Sequence, residues 1–183
     1  MPVTIPDPWL SFLRDVDRQI TEPITLHCLG GFVLAVLWGL PRSTGDLDFI
    51  DIVPGQASDE LLRIAGDGSA LAGKYQLRFQ RVTIAEYPEG YASRLVNITP
   101  GSLHKLTLLG LEVHDLVLTK VVRLAPRDRD DIAFLVKKRA VDRDVLLRRS
   151  EEELRPYVLN ESRYQENLAL CLEEFLPGRK KGP

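Results

Sequence analysis

The chain is poor in the residues that carry most side-chain chemistry, with two cysteines and three histidines among 183 residues. Cys28 and Cys171 stand far apart in apolar surroundings and form no C-x-x-C pair, which excludes a redox dithiol and leaves both as buried free thiols. No two histidines share a helical spacing and no cysteine cluster accompanies them, so a zinc site has no support. His27, in an apolar run, reads as a packed core residue, and His104 and His114 stand isolated. The serines lack the setting of a nucleophile elbow, which removes a hydrolase triad. Long hydrophobic runs are missing too. The longest, Phe32 to Leu40, is far short of the ~20 residues that span a bilayer. The start, Met1-Pro2-Val3-Thr4-Ile5-Pro6, has neither the basic nor the apolar region of a signal peptide, so a cytoplasmic location without membrane contact is expected. Charge of one sign is not in excess either. With 24 Lys and Arg against 26 Asp and Glu the formal net charge is -2, and any binding to nucleic acid would need a local patch.

What remains is ordinary globular material, 44% hydrophobic and 27% charged, enough for one domain or a compact domain with a helical appendage. Pro8 to Ile20 carries Trp9, Phe12, Leu13, Val16 and Ile20 at helical spacing and predicts an amphipathic helix. Ile24 to Leu29 reads as a short buried strand broken by Gly30-Gly31, and Phe32 to Leu40 as a buried helix ended by Pro41. Asp46 to Val53 reads as a strand alternating acidic and apolar side chains, with one polar and one buried face. A helix is expected over Ser58 to Leu71, with Ser58 as N-cap and Gly66 and Gly68 weakening or ending it. Gln76 to Ile84, Leu95 to Ile98 and Leu103 to Val113 predict antiparallel strands, which makes the sheet mixed. Helices follow over Asp115 to Arg123, Asp128 to Arg139, Asp142 to Arg149 and Glu161 to Phe175. The expected fold class is α+β: a mixed sheet flanked by helices over 1–113, a helical portion over 114–176 packed on it, and a disordered tail over 177–183.

The chemistry concentrates between residues 30 and 48. Gly30-Gly31 is followed eleven residues later by Arg42-Ser43-Thr44-Gly45 and at once by Asp46-Leu47-Asp48. Carboxylates two apart on a strand project from the same face and repel, and a divalent cation removes the repulsion. Magnesium or manganese suits such an edge, because hard ions take carboxylate, water and phosphate oxygens. The glycine pair lets backbone amides approach phosphate oxygens, the helix N-terminus favours negative charge, and Arg42, Ser43 and Thr44 add donors. A second block holds Lys120 and Arg123 on one helix face, with Asp128 and Asp131 repeating the spacing in acids. Taken alone, that block also reads as a solvated helix start. Tyr87, Tyr91 and Arg94 could stack on a base or simply pack.

Gly30-Gly31, the small apolar helix and Arg42-Ser43-Thr44-Gly45-Asp46-Leu47-Asp48 resemble the signature of the nucleotidyltransferase superfamily related to DNA polymerase beta. The resemblance extends to AbiEii-type toxins and their bacterial nucleotidyltransferase-like relatives, in which a later helix reads like Asp115-Leu116 through Lys120 and Arg123, then Arg127-Asp128 with Asp131. It implies a nucleotidyltransferase-like fold and metal-dependent transfer of a nucleoside monophosphate from an NTP to an RNA acceptor, such as a tRNA end, or to a protein. Asp46 and Asp48 would hold the metal; Gly30, Gly31, Arg42, Ser43, Thr44 and Arg123 would bind nucleotide. Lys120 would contact the nucleotide, and Asp128 or Asp131 would support catalysis. A cognate antitoxin is the implied partner. The superfamily usually brings a third carboxylate from a later strand, and Gln76 to Ile84 contains none. Glu86, Asp51 or a helix acid could fill the role, or the activity is lost or altered, which would leave a nucleotide-binding or interaction module.

Overall fold

Amphipathic spacing sets the first element. Helix α1 (Trp9–Gln19) buries Trp9, Phe12, Leu13 and Val16, and Ile20 is buried at its end. The chain then runs through β1 (Ile24–Leu29), α2 (Gly30–Trp38), β2 (Asp46–Val53), α3 (Ser58–Ala65), α4 (Ala70–Tyr75), β3 (Arg78–Arg81), β4 (Val96–Asn97) and β5 (Leu106–Gly110). Helices α5 (Val113–Arg123), α6 (Pro126–Lys137), α7 (Arg143–Arg149) and α8 (Glu161–Phe175) follow. This computed structural model describes residues 4–178, and the expectation of a disordered tail falls outside them from residue 179 onward.

The five strands form one mixed sheet in the order β3-β2-β1-β5-β4, flanked by helices, so the fold is α+β as expected. Strand β1 is antiparallel to β2 but parallel to β5, and β2 is parallel to β3. At the other edge β4 and β5 pair antiparallel. The expectation that the later strands are antiparallel is therefore corrected for β3 and for the β1 side of β5, and holds between β4 and β5. Helices α3 and α4 carry the chain back along the sheet between β2 and β3, the crossover that a parallel pair requires.

Strand β2 departs from strict alternation. Cys28 faces Phe49 and His27 faces Asp51, so the register shifts at that point and Ile50 is the extra residue. Such a bulge re-aims everything beyond it. Asp51 thereby returns to the face that carries Asp46 and Asp48, while Leu47, Phe49 and Ile52 line the core. On that core side Phe12 of α1 meets Phe79 of β3 and Tyr75 at ring-centroid distances of 5.6 and 5.7 Å. Trp9 lies 4.6 Å from Phe32 of α2. Asp17 of α1, buried, accepts the backbone N–H groups of His104, Lys105 and Leu106 at 2.7–3.1 Å and so pins the start of β5. Burial opposes the charge of Asp17, but those three bonds outweigh it and lower its pKa.

Two local boundaries differ from expectation. Helix α2 ends at Gly39, whose φ of +69° makes it a left-handed cap donating to Leu34 and Ala35 carbonyls, before Pro41 is reached. Ser58 is not an N-cap; a 3-10 turn over Gly55–Ala57 leads into α3, and Ser58 is buried, accepting from Arg81 Nη1 at 3.2 Å. Ser69 is the residue that caps with its side chain, accepting from Ala72 N–H at the start of α4 after the glycine break.

The chain divides into two units, one built from Met1–Ile84 and Leu95–Leu111, the other from Ala85–Arg94 and Glu112–Pro183. In the second unit α5 is central: eight of its eleven residues are buried, and α6, α7 and α8 all pack on it. Between α7 and α8 the helix widens into a π turn, Ser150–Leu154, whose Ser150 hydroxyl meets Tyr164 Oη of α8 at 2.6 Å. Burial pushes the Tyr164 phenol up to about 12. Both cysteines are buried free thiols, as expected, and burial raises the pKa of each. No helix among the described residues is long and apolar enough to cross a membrane.

Candidate functional site

The pairing of β1 with β2 brings the first predicted site together. Asp48 lies opposite Leu29, the last residue of β1, so its carboxylate reaches the point where β1 gives way to α2. There Gly30 has a φ of +79°, and a Cβ on it would stand 2.6 Å from Asp48 Oδ2. A side chain at 30 would push the carboxylate at 48 out of its present place. One residue on, a Cβ at Gly31 would stand 3.6 Å from Arg42 Nη2 and 3.7 Å from Thr44 Oγ1. Thr44 in turn is tied to Asp46, its hydroxyl donating to the Asp46 carbonyl at 3.2 Å and accepting the Asp46 N–H at 3.4 Å. Gly30, Gly31, Arg42, Thr44, Asp46 and Asp48 thus form one constellation, and Ser43 is exposed beside it.

Its electrostatics are mixed in sign. Helix α2 starts without a side-chain cap, because Leu29 has no acceptor to offer, and its N-terminus is an environment for anions. Asp46 and Asp48, both half-buried on one face of β2, offer hard oxygen donors. That donor set fits a cation such as magnesium, which keeps water and phosphate oxygens in its remaining positions. Among the described residues no group of three or more His, Cys, Asp or Glu side chains is placed to hold a metal.

The neighbouring strand explains why. In the β2–β3 register Asp46 faces Arg78 and Asp48 faces Gln80. Arg78 Nε lies 2.8 Å from Asp46 Oδ1, and its Nη1 reaches Asp67 Oδ1 at 3.3 Å. A guanidinium therefore stands on the strand where an acid was sought. Of the alternatives, Asp51 shares the β2 face and sits 3.8 Å from His27 Nδ1, and Glu86 belongs to the other unit, where it accepts the Leu159 N–H. His27, whose side chain is 13% exposed, is packed as expected, on the sheet face that carries Asp51.

The second predicted cluster lies wholly in the other unit. Lys120 Nζ is 2.7 Å from Asp131 Oδ2 and 3.7 Å from Asp128 Oδ1, while Arg123 makes a two-pronged contact with Asp128 at 2.8 and 2.9 Å. Asp128 and Asp131 are each 1% exposed, so this is no solvated helix start. Asp128 also accepts the Ala125 N–H and closes the first turn of α6. Burial would raise the Asp128 carboxyl, but the Arg123 hydrogen bonds and the charges of Lys120 and Arg123 outweigh it and hold the pKa low. Tyr87 and Tyr91 pack edge to face, and Arg94 is committed to Asp115 and Glu153, which takes it out of base stacking.

One network had no signal in the spacing of residues. His114, far from isolated, accepts the Asp142 N–H on Nε2 at 2.9 Å and meets Glu112 Oε1 through Nδ1 at 2.8 Å. Because Nε2 accepts, the Nδ1 proton is the one given to Glu112. Arg149 bridges Glu112 and the fully buried Asp115, which Arg94 also holds. Burial works against the Glu112 charge, yet the His114 and Arg149 contacts bring its pKa down to about 2.

A family described as nucleotidyltransferase of unknown function (DUF6036) has a model that matches residues 12–176 of the chain. No curated protein and no solved structure matches it significantly.

Proposed function

Since the chain belongs to this nucleotidyltransferase family, we propose that it moves a nucleoside monophosphate from an NTP to an acceptor hydroxyl and releases pyrophosphate. One observation carries the reading: where β1 enters α2 the Asp48 carboxylate lies against Gly30, closer than a Cβ there would allow, and the Arg42 and Thr44 side chains lie against Gly31. That arrangement sets donors for a triphosphate beside the carboxylates for its counterion. Gly30 and Gly31 admit the phosphates close to the backbone, and Arg42, Ser43 and Thr44 hold them from the side. Asp46 and Asp48 would hold a magnesium or manganese ion, which neutralises charge on the phosphates and the leaving group. The acceptor oxygen forms a bond to the α-phosphorus, the bond from that phosphorus to the bridging oxygen breaks, and pyrophosphate leaves with the electron pair. The hydroxyl proton passes to water or to a β2 carboxylate. Catalysis here is positioning and electrostatics, with no covalent enzyme intermediate.

The proposed acceptor is RNA, such as a tRNA end, or a protein side chain, and the proposed setting is a toxin-antitoxin or phage-defence system with a cognate antitoxin, as in the AbiEii-type proteins that the motifs resemble. In the second unit Lys120 and Arg123 are the candidate phosphate contacts and Asp128 and Asp131 the groups that orient them. A second reading, a nucleotide-binding module without turnover, is favoured by the Arg78–Asp46 ion pair. The test is incubation with each α-labelled NTP, magnesium, and total bacterial RNA and protein, beside an Asp46→Ala/Asp48→Ala double variant. Label entering RNA or protein only with the unaltered chain establishes transfer. Magnesium-dependent nucleotide binding without labelling favours the module, and no binding at all ends both readings.

A further inference from the structure

We propose that Arg78 is a positioning residue that limits the Asp46–Asp48 edge to a single divalent cation. The proposal rests on the metal-nucleotide reading of this site. The register is the first observation: β3 runs parallel to β2 and sets Arg78 directly beside Asp46, with Gln80 beside Asp48. The second is the contact itself, Arg78 Nε to Asp46 Oδ1 at 2.8 Å, a charge-assisted hydrogen bond of ordinary length. The third is that the same guanidinium is anchored from the far side by Asp67 Oδ1 at 3.3 Å.

The consequence follows from how carboxylates bridge ions. Two divalent cations in one site lie about 3.5–4 Å apart and are held together by carboxylates that give one oxygen to each. Asp46 has committed Oδ1 to Arg78, so Oδ2 is the oxygen it has to give. Charge points the same way. Arg78 cancels one of the two charges that Asp46 and Asp48 bring to this edge, which weakens its hold on a second cation in close contact. Arg78 also supplies, as a fixed cation on the sheet, part of the charge that a second ion would bring to the phosphates. It does so without exchanging with solvent.

The experiment titrates the full-length chain with Mn2+ alone, reading bound ion by electron paramagnetic resonance. Arg78→Gln, Arg78→Glu and Asp48→Asn variants are titrated beside it, and thermal unfolding verifies that each is folded. The expected result is one Mn2+ per chain with an uncoupled spectrum, binding weakened tenfold or more in Asp48→Asn, and binding tightened several-fold in Arg78→Gln. Arg78→Glu, which places three carboxylates on two adjacent strands, is expected to take a second ion and show a spin-coupled pair. Two coupled ions in the unaltered chain, or an Arg78→Glu variant that titrates like the unaltered chain, would overturn the role of Arg78 and leave the metal-nucleotide site standing. No Mn2+ bound by the unaltered chain would overturn the site reading and this inference together.

Discussion

The two glycines at the start of α2 make opposite predictions, because the structure gives them different surroundings. At Gly30 a methyl group meets two obstacles. Its φ of +79° costs an L-residue roughly 1–2 kcal/mol. A Cβ would also lie 2.6 Å from Asp48 Oδ2, about 0.8 Å short of the 3.4 Å at which ordinary contact begins, so the carboxylate has to move by that much. In a chain of this size each kcal/mol lowers Tm by roughly 2–4 °C. A displacement near 1 Å at a reacting centre costs up to about a hundredfold in rate. Gly30→Ala is therefore expected to lower Tm by several degrees and transfer activity by about ten- to a hundredfold, with weaker Mn2+ binding because Asp48 has shifted. At Gly31 a Cβ finds its nearest neighbours at 3.6 and 3.7 Å, ordinary distances, and alanine is the better helix former by roughly 0.5–1 kcal/mol. Gly31→Ala should keep or raise Tm and leave Mn2+ binding intact, yet weaken nucleotide binding, because its methyl group enters the space between the helix start and Arg42 and Thr44. Calorimetry, Mn2+ titration and labelled-NTP transfer on both variants are the assays. Equal losses of stability in the two, or a Gly30→Ala variant with unchanged Tm and Mn2+ affinity, would refute the reasoning.

Three further predictions concern the second unit. Lys120→Met leaves Asp131, 1% exposed, without the cation it holds at 2.7 Å, and should cost about 3–5 kcal/mol in urea unfolding; adding Asp131→Leu should recover most of it, and a double variant as unstable as the single would contradict this. Tyr164→Phe strands the buried Ser150 hydroxyl and should cost about 1–3 kcal/mol, whereas Tyr164→Phe with Ser150→Ala should be close to neutral in the same assay. Glu112 has a folded pKa of about 2 against an ordinary 4.5, so its contribution is complete above 4.5 and is lost as pH falls toward 2. Glu112→Gln should lower stability at neutral pH and flatten the loss of stability across that acid window, and an unchanged acid profile would count against the Glu112–His114–Arg149 network.

Helix positions were legible because apolar spacing is a local property: α1 and α8 appear within a residue of where the pattern puts them. The polar constellation of Gly30, Arg42, Thr44, Asp46 and Asp48 was legible for a related reason, since one strand-helix-strand unit of the chain contains all of it. Strand direction was not legible. Whether β3 lies parallel to β2 depends on α3 and α4 carrying the chain back, and no pattern inside Arg78–Arg81 records that. The bulge at Phe49-Ile50 was also hidden, although the run Asp46-Leu47-Asp48-Phe49-Ile50-Asp51 does break period two. Only the register with β1 tells whether the third acid points inward or returns to the polar face. The Glu112, Asp115, Arg149, Arg94 and Glu153 network joins partners up to 59 residues apart, and no local spacing could have assembled it.

Three buried charges of the second unit, Lys120, Asp128 and Asp131, and the exposed Arg123 that pairs with one of them, make an argument about why they are kept. Lys120 and Arg123 against Asp128 and Asp131 balance to zero, and each acid has a cation within 2.8 Å. A buried ion pair is weak evidence for stability, because desolvating both partners offsets most of their attraction and apolar residues of the same size often do as well. Helix α5 already buries Leu116, Val117, Leu118 and Val121, so apolar packing was an available alternative on that same helix. What the ions add is fixed geometry. Asp131 leaves Lys120 little freedom of direction, Asp128 fixes Arg123 with two bonds, and Asp128 is itself fixed by the Ala125 N–H at the start of α6. The arrangement therefore fixes α5 against the start of α6, with Lys120 held between Asp131 and Asp128.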